Sequence, residues 1–348
     1  MHPTDEIALR EICAQVRGPH SAAQAAARTH IARLAKSPGS LGTLELLIVR
    51  LAAITGQVRP EFNHPAVLVA AADHGVASEQ VSAYSQSVTA QLLQRLVRGS
   101  AAVNALAGNA GASLILADAG IATDLGEHPR LRRIAIGRGT RNLLREPAMT
   151  RAQAASALLA GARLVLAEVQ SGLDLLALGD IGAGNTTAAA CLTSAFTGVA
   201  PEITTGRGSG LDDARLLHKR TIVASALRRA RPRSADPIGT LAELGGFEIG
   251  VLAGAAIAAA AHHIPVVLDG YSTTSAALVA QALVPDIRYA LIAAHRSAEP
   301  GHRVALEFLG LQPLLMLDIG LGEGSGAALA LPLIQGAARV MRETVALE

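Results

Sequence analysis

The chain has 348 residues, half of them hydrophobic, which is enough for a sizeable core in one large domain and a smaller one. Thirty basic and 28 acidic residues leave a formal charge of +2, and no basic block is interleaved with aromatics; nucleic acid is therefore not an expected partner. The two cysteines, Cys13 and Cys191, lie far apart and offer no disulfide framework, which fits a cytoplasmic protein.

The N-terminal stretch MHPTDEIALREICAQV carries acids and no apolar signal core. Residues 21–36 are Ala-rich and helix-forming, KSPGSLG (36–42) breaks the pattern, and another helix is expected over 44–54. These first 60 residues are read as a small helical domain, with or without the C-terminal helix at 335–348. Residues 61–334 are read as the catalytic domain.

From about residue 65 short apolar runs alternate with longer helical stretches. The runs are AVLVAAAD (66–73), ASLILADAG (112–120), LDLLALGD (173–180), PVVLDG (265–270), RYALIAAH (288–295) and LQPLLMLDIG (311–320). Near-continuous apolar runs are how strands buried on both faces read. Alternation with helices predicts a doubly wound, Rossmann-like α/β core, mainly parallel, of about six strands. The mean hydropathy is high at +0.36. The most apolar run, VLAGAAIAAAA (251–261), is eleven residues long, too short for a bilayer that needs about 20; a buried helix fits it.

In such sheets ligands bind beyond the carboxyl ends of the strands. The runs deliver Asp73, His74, Asp118, Asp180, Asp269, His295, Ser297, Asp318 and Glu323 to that edge. Within ALGDIGAGNTTAAA (177–190), Gly182 and Gly184 bracket a tight loop, and Asn185, Thr186 and Thr187 open an Ala-rich stretch. Backbone N–H groups and a helix N-terminus there would suit a phosphate, although a capped helix without ligand reads the same way. A second cluster, TGRGSGLD (205–212), precedes Lys219; it suits a phosphate nest or a surface loop. In LDIGLGEGSGAALALPLI (317–334), Glu323 sits between two glycines. It is either an exposed carboxylate made more basic by apolar surroundings or a helix-N-terminal acid.

The ordered set KSPGSLGTLE, ADHGVASEQVSAYSQSVTAQ, GRGTRNLLREPAMT, GDIGAGNTTAAA, GGFEI, PVVLDGYSTTSAAL, AHRSAEPGH and LGEGSGAALAL closely resembles the nicotinate-nucleotide–dimethylbenzimidazole phosphoribosyltransferases of cobalamin lower-ligand synthesis. The resemblance implies transfer of a phosphoribosyl group from nicotinate mononucleotide to 5,6-dimethylbenzimidazole, with inversion at the anomeric carbon, release of nicotinate, and Glu323 as general base. It implies a phosphate and ribose site of Asp180, Gly182, Gly184, Asn185, Thr186, Thr187, Gly208, Ser209, Gly210, Lys219 and Ser297. It implies a base pocket of Ser82, Tyr84, Gln86, Leu92 and Ile181, no metal or other cofactor, and a homodimer. Tyr84 is one of seven aromatics and would give a planar base a flat wall; a core tyrosine is the alternative. The sequence departs from the family pattern at Asp180, usually Glu, and at Ser37 and Ser85, usually Pro. Alternatives are transfer to adenine, another benzimidazole or a phenolic acceptor, a non-catalytic nucleotide binder, and a metal-dependent hydrolase built on Asp73, His74, Asp269, His295, His302 and Asp318.

Overall fold

The computed structural model describes residues 3–346. Three helices come first: α1 (Pro3–Cys13), α2 (Ser21–Ala32) and α3 (Thr43–Thr55). The sheet begins with β1 (Pro65–Ala72), followed by α4 (Ser87–Val97), α5 (Ala102–Asn109), β2 (Ser113–Gly120) and β3 (Leu131–Arg133). The long helix α6 (Arg151–Gln170) then crosses to β4 (Leu175–Ile181). The second half contains α7 (Asn185–Thr197), α8 (Pro201–Thr204), α9 (Asp213–Ala230), α10 (Pro237–Leu244), α11 (Phe247–Ala261), β5 (Val266–Leu268), α12 (Tyr271–Leu283), β6 (Leu291–Ala293), α13 (Pro300–Leu309) and α14 (Ser325–Glu343).

All five strand pairings are parallel, in the order β3-β2-β1-β4-β5-β6. The chain therefore winds outward from β1 to one edge, returns through α6, and winds outward from β4 to the other. The topological switch point lies between β1 and β4, where such sheets open a crevice. Every residue of β1 and β4 is buried, as expected when helices cover both faces.

Five of the six apolar runs form strands. The sixth strand is β3, whose sequence Leu-Arg-Arg exposes both arginines; three residues with outward charges protect an edge but leave no apolar run to read. The run at 311–320 is not a strand. It makes a single parallel bridge, Leu315 to His295, and Pro313 within it lacks the N–H a ladder needs. Its Met316 and Leu317 stand more than half exposed.

Small residues explain the tightest packing. At Gly161 of α6 a Cβ would fall 1.8 Å from the Val251 carbonyl oxygen, and at Gly254 of α11 one would fall 1.7 Å from that of Leu158. The two helices thus meet backbone to backbone, with no room for side chains larger than hydrogen at those positions. Helix α11 is buried along almost its whole length and packs over β1, β2, β4 and β5. Helix α6 is long and apolar enough to cross a membrane, but its Ala154, Ala157, Leu158, Gly161 and Ala162 are buried and it lies on α11. Helix α1 packs on α6 and α11, α2 on α3, and α3 on α14. Residue 335 lies in the interior of α14, which starts ten residues earlier at Ser325.

Candidate active site

Strand β4 ends in Gly179-Asp180-Ile181, and alternation sends successive side chains to opposite faces. Gly179 lies under the turn that carries Glu323: a Cβ there would fall 2.5 Å from Gly324 N and 2.7 Å from Glu323 C. Three successive residues of that turn are left-handed, Gly322 at φ 77°, Glu323 at φ 62° and Gly324 at φ 82°. The conformation costs an L-residue about 1–2 kcal/mol, so Glu323 is held there by its surroundings. Asp269, at the end of β5, supplies the hold: its carboxylate accepts from Gly324 N at 3.1 Å and Ala327 N at 2.9 Å. Glu323 is 7% exposed. Burial raises its pKa, Arg95 of α4 pulls it back, and Asp269 adds to the rise. The result is a carboxylate of increased basicity at the rim of the switch point.

Asp180 faces the other side of the sheet. Its Oδ2 accepts from Asn185 Nδ2 at 2.5 Å. Burial, with the Asp269 and Glu248 charges nearby, lifts its pKa to about 7, against hydrogen bonds from Ser272 and Asn185. Glu248 is a lone acid in the apolar α11, fully buried, and its Oε1 lies 2.7 Å from His74 Nε2. Burial opposes charge on His74, but Glu248, Asp73 and Asp180 together outweigh it and the imidazole pKa is raised. This pair escaped the sequence reading; the one signal for it was an acid inside a fifteen-residue apolar helix.

The expected phosphate residues divide into those that meet and those that do not. Gly184 caps α7 in a left-handed conformation, and Asn185 Oδ1 accepts from Thr186 N at 2.7 Å. Lys219 is fully buried in α9, and its Nζ donates to Thr186 Oγ1 at 2.8 Å. A Cβ on Gly208, itself at φ 54°, would fall 2.8 Å from that Thr186 Oγ1 and 3.1 Å from Lys219 Nζ. The two glycine clusters therefore converge on one buried ammonium, whose pKa burial lowers to about 8. Ser209 of the 208–210 turn reaches toward the expected base pocket, with its Oγ 3.2 Å from Ser82 Oγ and accepting from Ala83 N at 2.9 Å. Gly182 serves a different purpose. A Cβ there would fall 2.7 Å from the Ala72 carbonyl oxygen and 3.2 Å from His74, so the glycine lets β1 and β4 close. Thr187 is fully buried with an unpartnered hydroxyl. Ser297 Oγ lies 2.8 Å from Nδ1 of buried His302, whose pKa burial lowers to about 3.

Of the expected base pocket, Ile181 is buried, Leu92 and Ser82 are half-buried, and Tyr84 is 58% exposed, which excludes a core tyrosine. Gln86 Nε2 reaches the His74 carbonyl oxygen at 3.4 Å. Among the described residues no group of three or more His, Cys, Asp or Glu is arranged to hold a metal ion. Asp73 Oδ2 instead accepts from Ala122 N at 2.8 Å, and Asp318 is exposed in the loop after Leu317.

The β1–β4 switch point of a parallel sheet, with glycine turns about a buried lysine on one strand end and a carboxylate in a left-handed turn on the other, is the arrangement of an enzyme that acts on a phosphorylated small molecule. A family model described as "Phosphoribosyltransferase" matches residues 16–348. The chain is 48% identical over 345 residues to the nicotinate-nucleotide–dimethylbenzimidazole phosphoribosyltransferase of Deinococcus radiodurans, covering 97% of this chain and 94% of that one. It is 46% identical to the enzyme of the same name from Desulforudis audaxviator, covering 96% and 95%. The crystal structure of the Thermus thermophilus enzyme superposes with a TM-score of 0.89 at 45% identity, covering 93% of this chain and 96% of that one. The chain belongs to the nicotinate-nucleotide–dimethylbenzimidazole phosphoribosyltransferase family.

Proposed function

We propose that the protein transfers the phosphoribosyl group of nicotinate mononucleotide to 5,6-dimethylbenzimidazole. The products are α-ribazole 5′-phosphate and nicotinate. The anomeric carbon's bond to the pyridinium nitrogen breaks, and its electron pair neutralises that nitrogen, so departure needs no acid. A benzimidazole nitrogen bonds to the same carbon from the opposite face, and its ring N–H proton passes to Glu323. The observation that carries this reading is Glu323 itself, a lone carboxylate held in a left-handed turn and made more basic by burial. A placed base of this kind contributes typically about 10²–10⁴-fold, and alignment of two bound substrates up to about 7–11 kcal/mol.

In this reading the donor's phosphate lies between the Gly184–Thr186 turn, the Gly208–Gly210 turn and Lys219, with Ser297 at the rim. The acceptor lies along Ser82, Tyr84, Gln86, Leu92 and Ile181, on the side of the sheet that Glu323 occupies. Asp180 is the ribose-side carboxylate. Thr187 and Gly182 shape the turn from behind. The protein acts in the cytoplasm as a homodimer, which light scattering tests directly.

The deciding experiment incubates the protein with nicotinate mononucleotide and a panel of benzimidazoles, purines and phenols, with mass detection of the ribotide and of free nicotinate. Formation of α-ribazole phosphate fastest from 5,6-dimethylbenzimidazole is expected. Release of no nicotinate with any acceptor refutes the reading.

A further inference from the structure

Glu299, immediately before α13, packs against the 206–210 turn. Its Oε1 accepts from Gly208 N at 2.7 Å, and its Oε2 is buried without a hydrogen-bond partner. The packing of its carboxylate against Gly206 leaves no space for a Cβ there. Its negative charge acts on Lys219 and favours the ammonium form. Lys219 in turn stands beside Gly208 and Thr186.

A backbone N–H in a left-handed glycine turn and a buried ammonium are the donors that a phosphate monoester requires. The Glu299 carboxylate accepts from the first and acts on the second. A dianion arriving at these donors meets a like charge, which costs free energy in a partly buried site. The second carboxylate oxygen has no partner that would be lost if the side chain swung away.

We propose that Glu299 tunes the affinity for the donor's phosphate, as an internal anion that holds the Gly208 N–H and faces Lys219 until a phosphate monoester displaces it. This rests on the proposed placement of the donor's phosphate between the 208–210 turn and Lys219. The carboxylate holds the turn formed until the phosphate arrives. By competing with phosphate it also weakens the grip on the phosphorylated product.

The test compares wild type with Glu299→Gln, which keeps an oxygen acceptor for Gly208 N–H and removes the charge. KM for nicotinate mononucleotide is expected to fall about tenfold, as does the concentration of inorganic phosphate that half-inhibits or half-protects against heat. KM for nicotinate riboside, which lacks the phosphate, is expected to stay the same. An unchanged or increased KM for the mononucleotide, or an equal change for the riboside, overturns the proposal and leaves Glu299 a structural tie. A second measurement needs no variant: in wild-type crystals soaked in inorganic phosphate, Gly208 N is expected to donate to the ion with Glu299 withdrawn. A Gly208–Glu299 bond that persists, or no ion at the turn, overturns the proposal. If wild type releases no nicotinate from the mononucleotide, the functional reading fails, while phosphate titration and soaking still decide the role of Glu299.

Discussion

Gly179→Ala should disable the enzyme while leaving every expected substrate contact chemically intact. The added methyl group would sit 2.5 Å from Gly324 N, 2.6 Å from Gly324 Cα and 2.7 Å from Glu323 C. Ordinary van der Waals contact begins near 3.4 Å, so the turn or the strand must give way by about 0.9 Å, the difference 3.4 − 2.5. The strand has little freedom, because β4 is hydrogen-bonded to β1 on one side and β5 on the other. The turn is the softer partner, being tied through Asp269 to Gly324 N and Ala327 N. Overpacking of this kind costs typically about 1–3 kcal/mol. A displacement near 1 Å of a catalytic group costs on the order of 10²-fold in rate. The assay is kcat for nicotinate release at a temperature where thermal unfolding shows the variant fully folded. Gly320→Ala is the control, since nothing lies within 4 Å of a Cβ there and its φ is unremarkable; it should match wild type in both readouts. A folded Gly179→Ala enzyme with wild-type kcat would refute the argument that this glycine sets the position of Glu323.

Glu323→Gln should retain mononucleotide binding, measured by calorimetry, and lose roughly 10²–10⁴ in kcat. In wild type kcat/KM should fall with decreasing pH through a value above the ordinary carboxylate range, because burial raises the Glu323 pKa; a limb unmoved in the Gln variant would assign it to another group. Burial lowers the Lys219 pKa to about 8, so the donor's KM should rise as pH passes that value, and Lys219→Met should show a high KM without that rise. The folded-state pKa of His302 is lowered from 6.5 to about 3, so between those values the unfolded chain binds the proton and the folded protein does not. Its stabilising contribution is complete above about 6.5 and is lost as pH falls toward 3; His302→Asn, which keeps an acceptor for Ser297, should flatten the acid side of a Tm-against-pH curve.

How much of this was legible beforehand depended on whether the cause was local. Strands β1 and β4 were visible because both faces are covered and every residue is buried, leaving an uninterrupted apolar run. Strand β3 was invisible because an edge strand of three residues with two exposed arginines has no periodicity to detect. The run at 311–320 misled for the converse reason, since apolar content does not ensure burial when a proline interrupts the ladder. Within the site, the glycine loops and the Gly-Glu-Gly turn were local signals. The reason for Gly182 was not, because its constraint comes from Ala72 and His74. Nor was the pairing of His74 with Glu248, which are 174 residues apart and meet only when α11 lies on the sheet.

Charge separates across this site in a way that suits the proposed donor. Asp73, Asp180, Glu248 and Asp269 gather at the ends of β1, β4 and β5 and at the start of α11, buried almost completely, with His74 hydrogen-bonded to Glu248 among them. Burial first, and then the Asp269 and Glu248 charges, lift the Asp180 pKa to about 7, so a positive charge brought beside Asp180 would be drawn in. Beyond Asp180, bonded to Asn185, the glycine turns around Lys219 offer backbone N–H groups and, once Glu299 withdraws, an unopposed ammonium. Nicotinate mononucleotide has a pyridinium at one end of its ribose and a phosphate dianion at the other. Bound with its phosphate at the lysine, it would turn its cationic end toward the acidic pole. Reaction then discharges the pyridinium, and the leaving nicotinate, now bearing only a carboxylate, is repelled by the groups that had drawn it in. In the proposed placement the same acids would favour donor binding before transfer and nicotinate departure after it, with no proton movement required beyond the one proposed for Glu323.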